Sequence, residues 1–215
     1  MSYLKADNLE RFTTIDHGFG TAEDPWPEDI ILLSQRHTNN VVIIDDEYMD
    51  FIPVADAMLT KLPDKVLGIK TADCLPILLY NPEANVVGVI HAGWRGLANM
   101  IIYNTIDKLQ TFYNAQPSET FFSIGPGICK DCYEVGIEVY ESINAVIDIR
   151  DAFKKTAKDK GLLDMRTIAQ RELQSSGVPV SNISHINLCT KCSPNFYSHR
   201  AGSTGRQVSF IKIIK

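Results

Sequence analysis

Three residues in the first half of the chain, His37, Cys74 and His91, carry side chains that bind metal ions. Two imidazoles and one thiolate suit catalytic zinc, which keeps a fourth position for water and lowers the pKa of that water to about 7. A lone cysteine is more often a small buried hydrophobic residue, and a loop histidine is often unremarkable. Spacing alone therefore leaves open whether the three side chains meet.

The segment after His91 is a second candidate, because glycines flank Trp94 and Arg95 between a predicted strand and a predicted helix. The N–H groups at a helix N-terminus and the charge of Arg95 suit an anion such as phosphate. The alternative is that the glycines only permit a tight turn and that Arg95 pairs with a surface acid. Asp73, next to Cys74, adds a carboxylate at the mouth of a predicted buried strand.

The remaining cysteines form two Cys-x-x-Cys pairs, Cys129/Cys132 and Cys189/Cys192. Such pairs are typical of structural zinc sites, although zinc ribbons place the two pairs much closer together than they are here. Two interpretations stay open, a second metal site or four reduced free thiols.

The strands that would position these side chains are predicted from runs rich in β-branched or aromatic residues. These runs lie at 41–44, 66–69, 75–80, 86–91, 120–124, 184–188 and 207–214. The segment 81–85 has the length of a hairpin turn, so antiparallel pairs are expected beside helical crossovers.

Helices are predicted where apolar residues recur at helical spacing, at 102–113, 135–146 and 164–176. Asp131 and Glu134 form a possible capping box for the second helix. Asp164 is the expected N-cap of the third helix, and Gly177 follows its end. We expect a single domain over residues 1–215, in the α+β (mixed α/β) class. Its expected architecture is a layered α/β/β/α-type sandwich with mixed sheets and outer helices.

Composition excludes several classes of protein. The formal net charge is -5 and the pI about 5.5, so the basic surface of a nucleic-acid binder is missing. No apolar run is long enough to span a membrane, and the N-terminus lacks the pattern of an export signal. We therefore expect a cytoplasmic protein with reduced cysteines and no membrane partner. A monomer is a separate expectation, which composition does not determine.

The chain resembles the YfiH-like, laccase-domain (FAMIN-related) family of purine nucleoside phosphorylases. The similar segments follow the family's order over nearly the whole chain. They are QRH at 35–37, TADC at 71–74, HAGWRG at 91–96, GP at 125–126, CYEV at 132–135, CT at 189–190, FYSHR at 196–200 and GRQ at 205–207.

The resemblance implies a metal held by His37, Cys74 and His91, with zinc expected and copper as the alternative. It implies phosphorolysis of adenosine, inosine, guanosine and methylthioadenosine, with adenosine deamination beside it. Purine nucleosides and phosphate are then the expected partners. Asp73 and Arg95 are expected to act in catalysis beside Cys74 and His91. The substrate-binding residues that the resemblance implies are Gln35, Arg95 and Arg200.

The sequence departs from the family near its N-terminus, where residues 17–22 replace the usual Arg-x-Gly-Gly-x-Ser loop. We therefore expect a substrate contact of the family to be missing here. Two other functions stay open. One is a hydrolase or deamidase with Cys74 as nucleophile and His91 as base. The other is the copper-dependent polyphenol oxidoreductase of the family's older label. The remaining histidines, His17, His185 and His199, are too few for a trinuclear copper cluster. A non-catalytic metal-binding protein is a further possibility.

Overall fold

The structure is a computed structural model that describes residues 3–45 and 52–215. The helices in this part of the chain are α1 (Asp7–Glu10), α2 (Trp94–Ala98), α3 (Ile101–Tyr113), α4 (Ile137–Asn144) and α5 (Met165–Ser175). The strands are β1 (Ile15–Phe19), β2 (Ile30–Ile31), β3 (Val41–Ile43), β4 (Ala57–Thr60), β5 (Val66–Thr71), β6 (Leu75–Asn81), β7 (Val86–Ala92), β8 (Phe121–Ile124), β9 (Glu134–Gly136), β10 (Phe153–Lys155), β11 (Lys160–Leu163), β12 (Ile183–His185) and β13 (Gln207–Ile213).

Two mixed sheets and a small antiparallel one make up the β-structure of the described residues. The largest sheet has the order β12-β8-β6-β7-β4-β3, and the second has the order β1-β13-β5-β2. Strands β6 and β7 form the expected antiparallel hairpin, while β3 and β4 pair in parallel. Strands β10, β11 and β9 form the third sheet. The prediction of mixed sheets is confirmed.

The six-stranded sheet buries both of its faces, because successive side chains of a strand point to opposite sides. On one face, Ile77 and Ile90 pack with Ile102, Ile106 and other apolar residues of α3, α4 and α5. On the other face, Val87 packs against the four-stranded sheet. Helix α1 contacts β1 and adds a buried leucine to this second cluster. The α+β class with layered mixed sheets and outer helices is confirmed. No described helix is long and apolar enough to cross a membrane.

The predicted helix ends agree with the structure in one case and differ in another. The Asp164 side chain accepts hydrogen bonds from the N–H groups of Arg166 and Thr167, as an N-cap should. The capping box at Asp131 is wrong, because α4 begins only at Ile137 and the segment before it pairs as strand β9. Tertiary pairing with β11 overrides the local helical pattern there.

Strand β4 was not among the predicted strands, although it lies inside the six-stranded sheet between β7 and β3. Its sequence, Ala-Met-Leu-Thr, has only one β-branched residue, and all four side chains are buried. Burial on both sides of the sheet decides its conformation more than local propensity does. This strand matters for the site because Asp56 immediately precedes it.

Candidate active site

The structure brings His37, Cys74 and His91 together at one end of the two packed sheets. His91 lies near the end of β7, Cys74 lies in the link that carries the chain from β5 to β6, and His37 lies in the loop between β2 and β3. Their potential ligand atoms all lie within 4.8 Å of one another. The Sγ atom of Cys74 is 3.9 Å from Nε2 of His37, and the two imidazole rings have centroids 4.9 Å apart.

The donor atoms of this triad fit a transition metal. Imidazole nitrogen and thiolate sulfur suit zinc or copper, whereas magnesium and calcium prefer oxygen ligands. Nδ1 of His91 is already 2.7 Å from an Asp56 carboxylate oxygen, which leaves its Nε2 atom for a ligand. His91 is buried, Cys74 is half-buried and His37 is exposed, so the triad is open on one side.

Asp56 organises this triad, although no motif in the sequence singles it out. Its side chain is fully buried and accepts hydrogen bonds from the N–H groups of Arg36, His37 and Thr38. The Thr38 hydroxyl donates to it as well, at 2.8 Å. One carboxylate therefore orients His91 directly and holds the loop that carries His37. The available signal in the sequence is an acidic residue between two alanines, directly before strand β4. This signal is weak, because β4 itself is not predicted from the sequence.

Close approach of the backbone also shapes the triad. A Cβ atom at Gly93 would lie 2.8 Å from Sγ of Cys74 and 3.0 Å from Cδ2 of His37, so only glycine fits there. His37 and Asp73 have φ values of 60° and 89°, in a region that side chains other than glycine seldom adopt. The bonds to Asp56 hold His37 in this conformation.

The triad and Asp56 are strongly coupled electrostatically. Burial alone would raise the pKa of Cys74, but the charge of His91 and hydrogen bonds from both imidazoles lower it to about 6. Burial would lower the pKa of His91, while the Cys74 thiolate and Asp56 raise it to about 9. Burial would raise the pKa of Asp56, yet hydrogen bonds from His91 and Thr38 lower it to about 2. Cys74 is thus disposed to be a thiolate, the form that binds metal.

The triad lies in the wall of a cavity of about 670 Å³. Among the lining residues, Asp73 is the one carboxylate, while basic side chains are numerous. The basic residues of the wall are Arg36, Lys70, Arg95, Arg200 and Arg206. This excess of positive charge favours an anionic ligand.

Arg95 and Arg200 each lie over an aromatic ring in the cavity wall. The guanidinium of Arg95 is 4.4 Å from the ring centroid of Trp94, and that of Arg200 is 4.7 Å from the ring centroid of Tyr133. Arg200 also donates to the carbonyl oxygen of Glu134 at 2.8 Å. Helix α2 is only five residues long, so the side chain of Arg95 is the main anion-binding group of that segment.

Asp73 and Gln35 line the cavity, but their polar groups are already hydrogen-bonded within the protein. One Asp73 oxygen accepts from the Thr190 hydroxyl and the other accepts from the N–H of Arg200, both at 2.7 Å. The Gln35 amide donates to the carbonyl of Lys70 and accepts from its N–H. Both side chains therefore position neighbours of the cavity, and their direct roles toward substrate stay predictions.

The site residues expected from the sequence all lie in or around this cavity. Several further residues that line or support the cavity were not predicted from the sequence. Besides Asp56, these are Arg36, Lys70, Trp94, Tyr133, Thr190 and Arg206. The GRQ and CYEV segments contain Arg206 and Tyr133, but sequence similarity did not assign them a role.

A second group of potential metal ligands lies outside the cavity, and the described residues hold no third one. It consists of Cys129, Cys132, Cys189 and Cys192, with all sulfur atoms within 4.8 Å of one another. The histidines left over from the triad belong to neither group. His17, for example, is buried in β1 and accepts a hydrogen bond from the N–H of Ala6.

Comparisons with known proteins agree with this architecture. Residues 16–214 match the family described as multi-copper polyphenol oxidoreductase laccase. The chain is 32% identical over 218 residues to the purine nucleoside phosphorylase YlmD of Bacillus subtilis, a match covering 96% of this chain and 77% of that protein. It is 33% identical over 184 residues to a protein of an unknown prokaryotic organism named adenosine deaminase RL5, covering 80% of this chain and 70% of the relative.

Among solved structures, the Neisseria meningitidis protein NMB0706 superimposes with a TM-score of 0.89 at 26% identity, and the match covers 100% of both chains. The family match spans nearly the whole sequence, and the fold matches over its full length. The chain therefore belongs to the YfiH-like, laccase-domain family.

Proposed function

We propose that this protein is a metal-dependent purine nucleoside phosphorylase. The observation that carries the proposal is the convergence of His37, Cys74 and His91 in the wall of a cavity rich in arginine. The proposed substrates are adenosine, inosine, guanosine and methylthioadenosine, together with phosphate. The names of relatives such as YlmD support a phosphorylase, and that of RL5 supports adenosine deamination as a second activity.

Phosphorolysis breaks the bond between the ribose C1′ atom and the purine nitrogen and forms a bond from C1′ to a phosphate oxygen. The purine leaves with the bonding electron pair and takes up a proton. Arg95 and Arg200 would bind the phosphate, because guanidinium groups match its oxygens and both are oriented by aromatic rings. Lys70 and Arg206 add positive charge to the same wall.

The proposed metal is zinc, held by His37, Cys74 and His91, with copper as the alternative. When bound there, it would supply a Lewis acid to the cavity. Asp56 would keep His91 in the orientation that presents Nε2. Asp73 would position Arg200 by accepting a hydrogen bond from the Arg200 N–H. For deamination we also propose that Asp73 transfers protons, which requires one of its oxygens to release its present hydrogen bond.

The test is to incubate the purified protein with each nucleoside, with and without phosphate, and to separate the products by chromatography. A phosphorylase yields free purine and ribose 1-phosphate, or 5-methylthioribose 1-phosphate from methylthioadenosine, only when phosphate is present, whereas adenosine deamination yields inosine in either case. Bound metal is measured on the same preparation. Absence of phosphate-dependent purine release from all four nucleosides contradicts the proposal.

A second candidate, a cysteine hydrolase or deamidase, is favoured by the geometry of Cys74, His91 and Asp56. A nucleophile, a base and a carboxylate that orients the base form the arrangement of a catalytic triad. This enzyme would work without metal and without phosphate. Chelator-treated protein distinguishes the two, because a cysteine hydrolase keeps a phosphate-independent activity that alkylation of Cys74 then abolishes, whereas a metal-dependent phosphorylase is already inactive before alkylation.

A further inference from the structure

The four cysteines outside the cavity meet because two turns lie side by side. The turn that contains Cys129 and Cys132 is a short 3-10 helix, and the turn after Cys189 closes with a hydrogen bond from Ser193 N–H to the Cys189 carbonyl. Gly127 forms an isolated parallel β-bridge with Cys189, and Thr190 N–H donates to its carbonyl at 3.2 Å. The backbone thus aligns two Cys-x-x-Cys turns that are far apart in the sequence.

The sulfur atoms have the spacing of a tetrahedral metal site. All four lie within 4.8 Å of one another, and Sγ of Cys132 is 3.3 Å from Sγ of Cys192. Four sulfurs bonded to zinc at about 2.3 Å lie about 3.8 Å apart. Only small side-chain adjustments would therefore complete a tetrahedron.

Hydrogen-bond donors and positive charges lie beside the sulfur atoms. The N–H of Cys129 donates to Sγ of Cys189 at 3.3 Å, across the two turns. Arg166 donates to the carbonyl oxygens of Gly127 and Leu188, which flank the cluster, and so brings a positive charge beside it. Each turn also has a lysine between its cysteines. Four thiolates and one divalent cation carry a net charge of about -2, which these side chains offset.

We propose that Cys129, Cys132, Cys189 and Cys192 bind a structural zinc ion, separate from the metal of the cavity. Zinc is favoured because a closed set of four thiolates is its usual structural site and leaves no position for substrate.

The bound ion would hold one wall of the cavity in place. Tyr133, on which Arg200 stacks, directly follows the first turn. Thr190, whose hydroxyl donates to Asp73, lies inside the second turn. Crosslinking the turns would thus fix the positions of both contacts relative to the triad. Zinc binding at the cluster does not depend on which reaction the cavity performs.

The test uses the triple variant His37→Ala/Cys74→Ala/His91→Ala, which lacks the ligands of the cavity and keeps the four-cysteine cluster. After purification with a reducing agent and dialysis, we expect one zinc per chain by mass spectrometry of metals. Replacement by Co²⁺ should give the intense sulfur-to-cobalt absorption of a four-thiolate site. Adding Cys132→Ser/Cys192→Ser should abolish both, whereas the control Asp131→Asn, at an exposed position of the first turn, should retain both.

Two results would overturn the proposal. One is a triple variant, folded by circular dichroism, that keeps no zinc and shows no sulfur-to-cobalt absorption. The other is a Cys132–Cys192 disulfide, found by mass spectrometry, in protein purified with zinc and a reducing agent. The triple variant lacks the cavity's metal ligands, so its zinc content reports on the four-cysteine cluster alone. A negative result in the nucleoside assay would therefore contradict the proposed function without affecting this test.

Discussion

Nδ1 of His91 lies 2.7 Å from Oδ1 of Asp56, and both side chains are buried. The contact fixes the imidazole ring and decides which nitrogen faces Cys74. Asp56 also accepts hydrogen bonds from three backbone N–H groups of the His37 loop. The positions of two of the three potential metal ligands therefore depend on one carboxylate.

Asp56→Asn should therefore weaken metal binding at the triad by roughly 10- to 100-fold, because an amide supports the imidazole less well than a carboxylate. Competition with a chromogenic chelator measures the affinity, and circular dichroism checks the fold. The exposed carboxylate variant Asp148→Asn is the matched control. Wild-type affinity in folded Asp56→Asn protein would show that the negative charge of Asp56 does not contribute to metal binding.

Arg95→Ala should raise the KM for phosphate by roughly 10- to 100-fold, the effect of losing a charge-assisted contact of about 1.5–3 kcal/mol. The KM for the nucleoside should change much less. Steady-state kinetics with phosphate as the varied substrate measures this difference. Arg150→Ala, which removes an exposed arginine paired with Asp148, is the control. Equal changes in both KM values would argue against a phosphate site at Arg95.

Gly93→Ala should disturb the triad, because the added methyl group would come within 2.8 Å of Sγ of Cys74. Overpacking of this kind costs about 1–3 kcal/mol, so we expect a lower melting temperature and weaker metal binding. Gly96→Ala, in helix α2 directly after this position, is the comparison, since the nearest atom to its Cβ atom would be Cγ2 of Ile101 at 3.2 Å. Full metal affinity in Gly93→Ala would mean that the loop of His37 moves to accommodate the added methyl group without disturbing the metal ligands.

The buried side chain of Glu172 should make the stability of the fold depend on pH, independently of the active site. Its side chain is fully buried; one oxygen accepts from the N–H of Tyr103, and the other has no hydrogen-bond partner in the structure. Burial raises its pKa from the usual 4.5 to about 7. The folded state thus binds a proton at Glu172 more tightly than the unfolded chain does. The contribution of protonated Glu172 to the stability of the fold is therefore complete below pH 4.5 and is lost as the pH rises to about 7.

Glu172→Gln should remove this loss, which is on the order of 3 kcal/mol. Urea unfolding of wild type and variant at pH 5 and pH 8 measures it, and the variant should be the more stable protein at pH 8. Glu141→Gln, on the exposed side of α4, serves as the control. A wild type that gains stability relative to Glu172→Gln between pH 5 and pH 8 would contradict the assigned sign.

Much of the fold could be predicted from the sequence, because the central strands and two of the helices have strong local patterns. The hairpin of β6 and β7 and the Asp164 cap of α5 are examples. Strands β4 and β9 could not be predicted in this way. Partners distant in the sequence determine both, through pairing with β7 and β11.

The candidate site shows the same division. Residue types and family resemblance identified the triad and Arg95, since soft ligands and a fixed positive charge belong to the side chains themselves. Asp56 was missed because its role consists of hydrogen bonds to residues about 20 and 35 positions away, which no local pattern records.

The sequence by itself determined which chemistry is available to this protein: imidazole and thiolate ligands, arginines for an anion, and four further cysteines. Only the tertiary structure decided which of these groups act together. It placed the two Cys-x-x-Cys turns side by side and used the oxygens of Asp73 and the amide of Gln35 for internal hydrogen bonds. The physical reason is that ligand geometry and hydrogen-bond satisfaction depend on distances of a few ångströms between segments, which the packing of the two sheets sets.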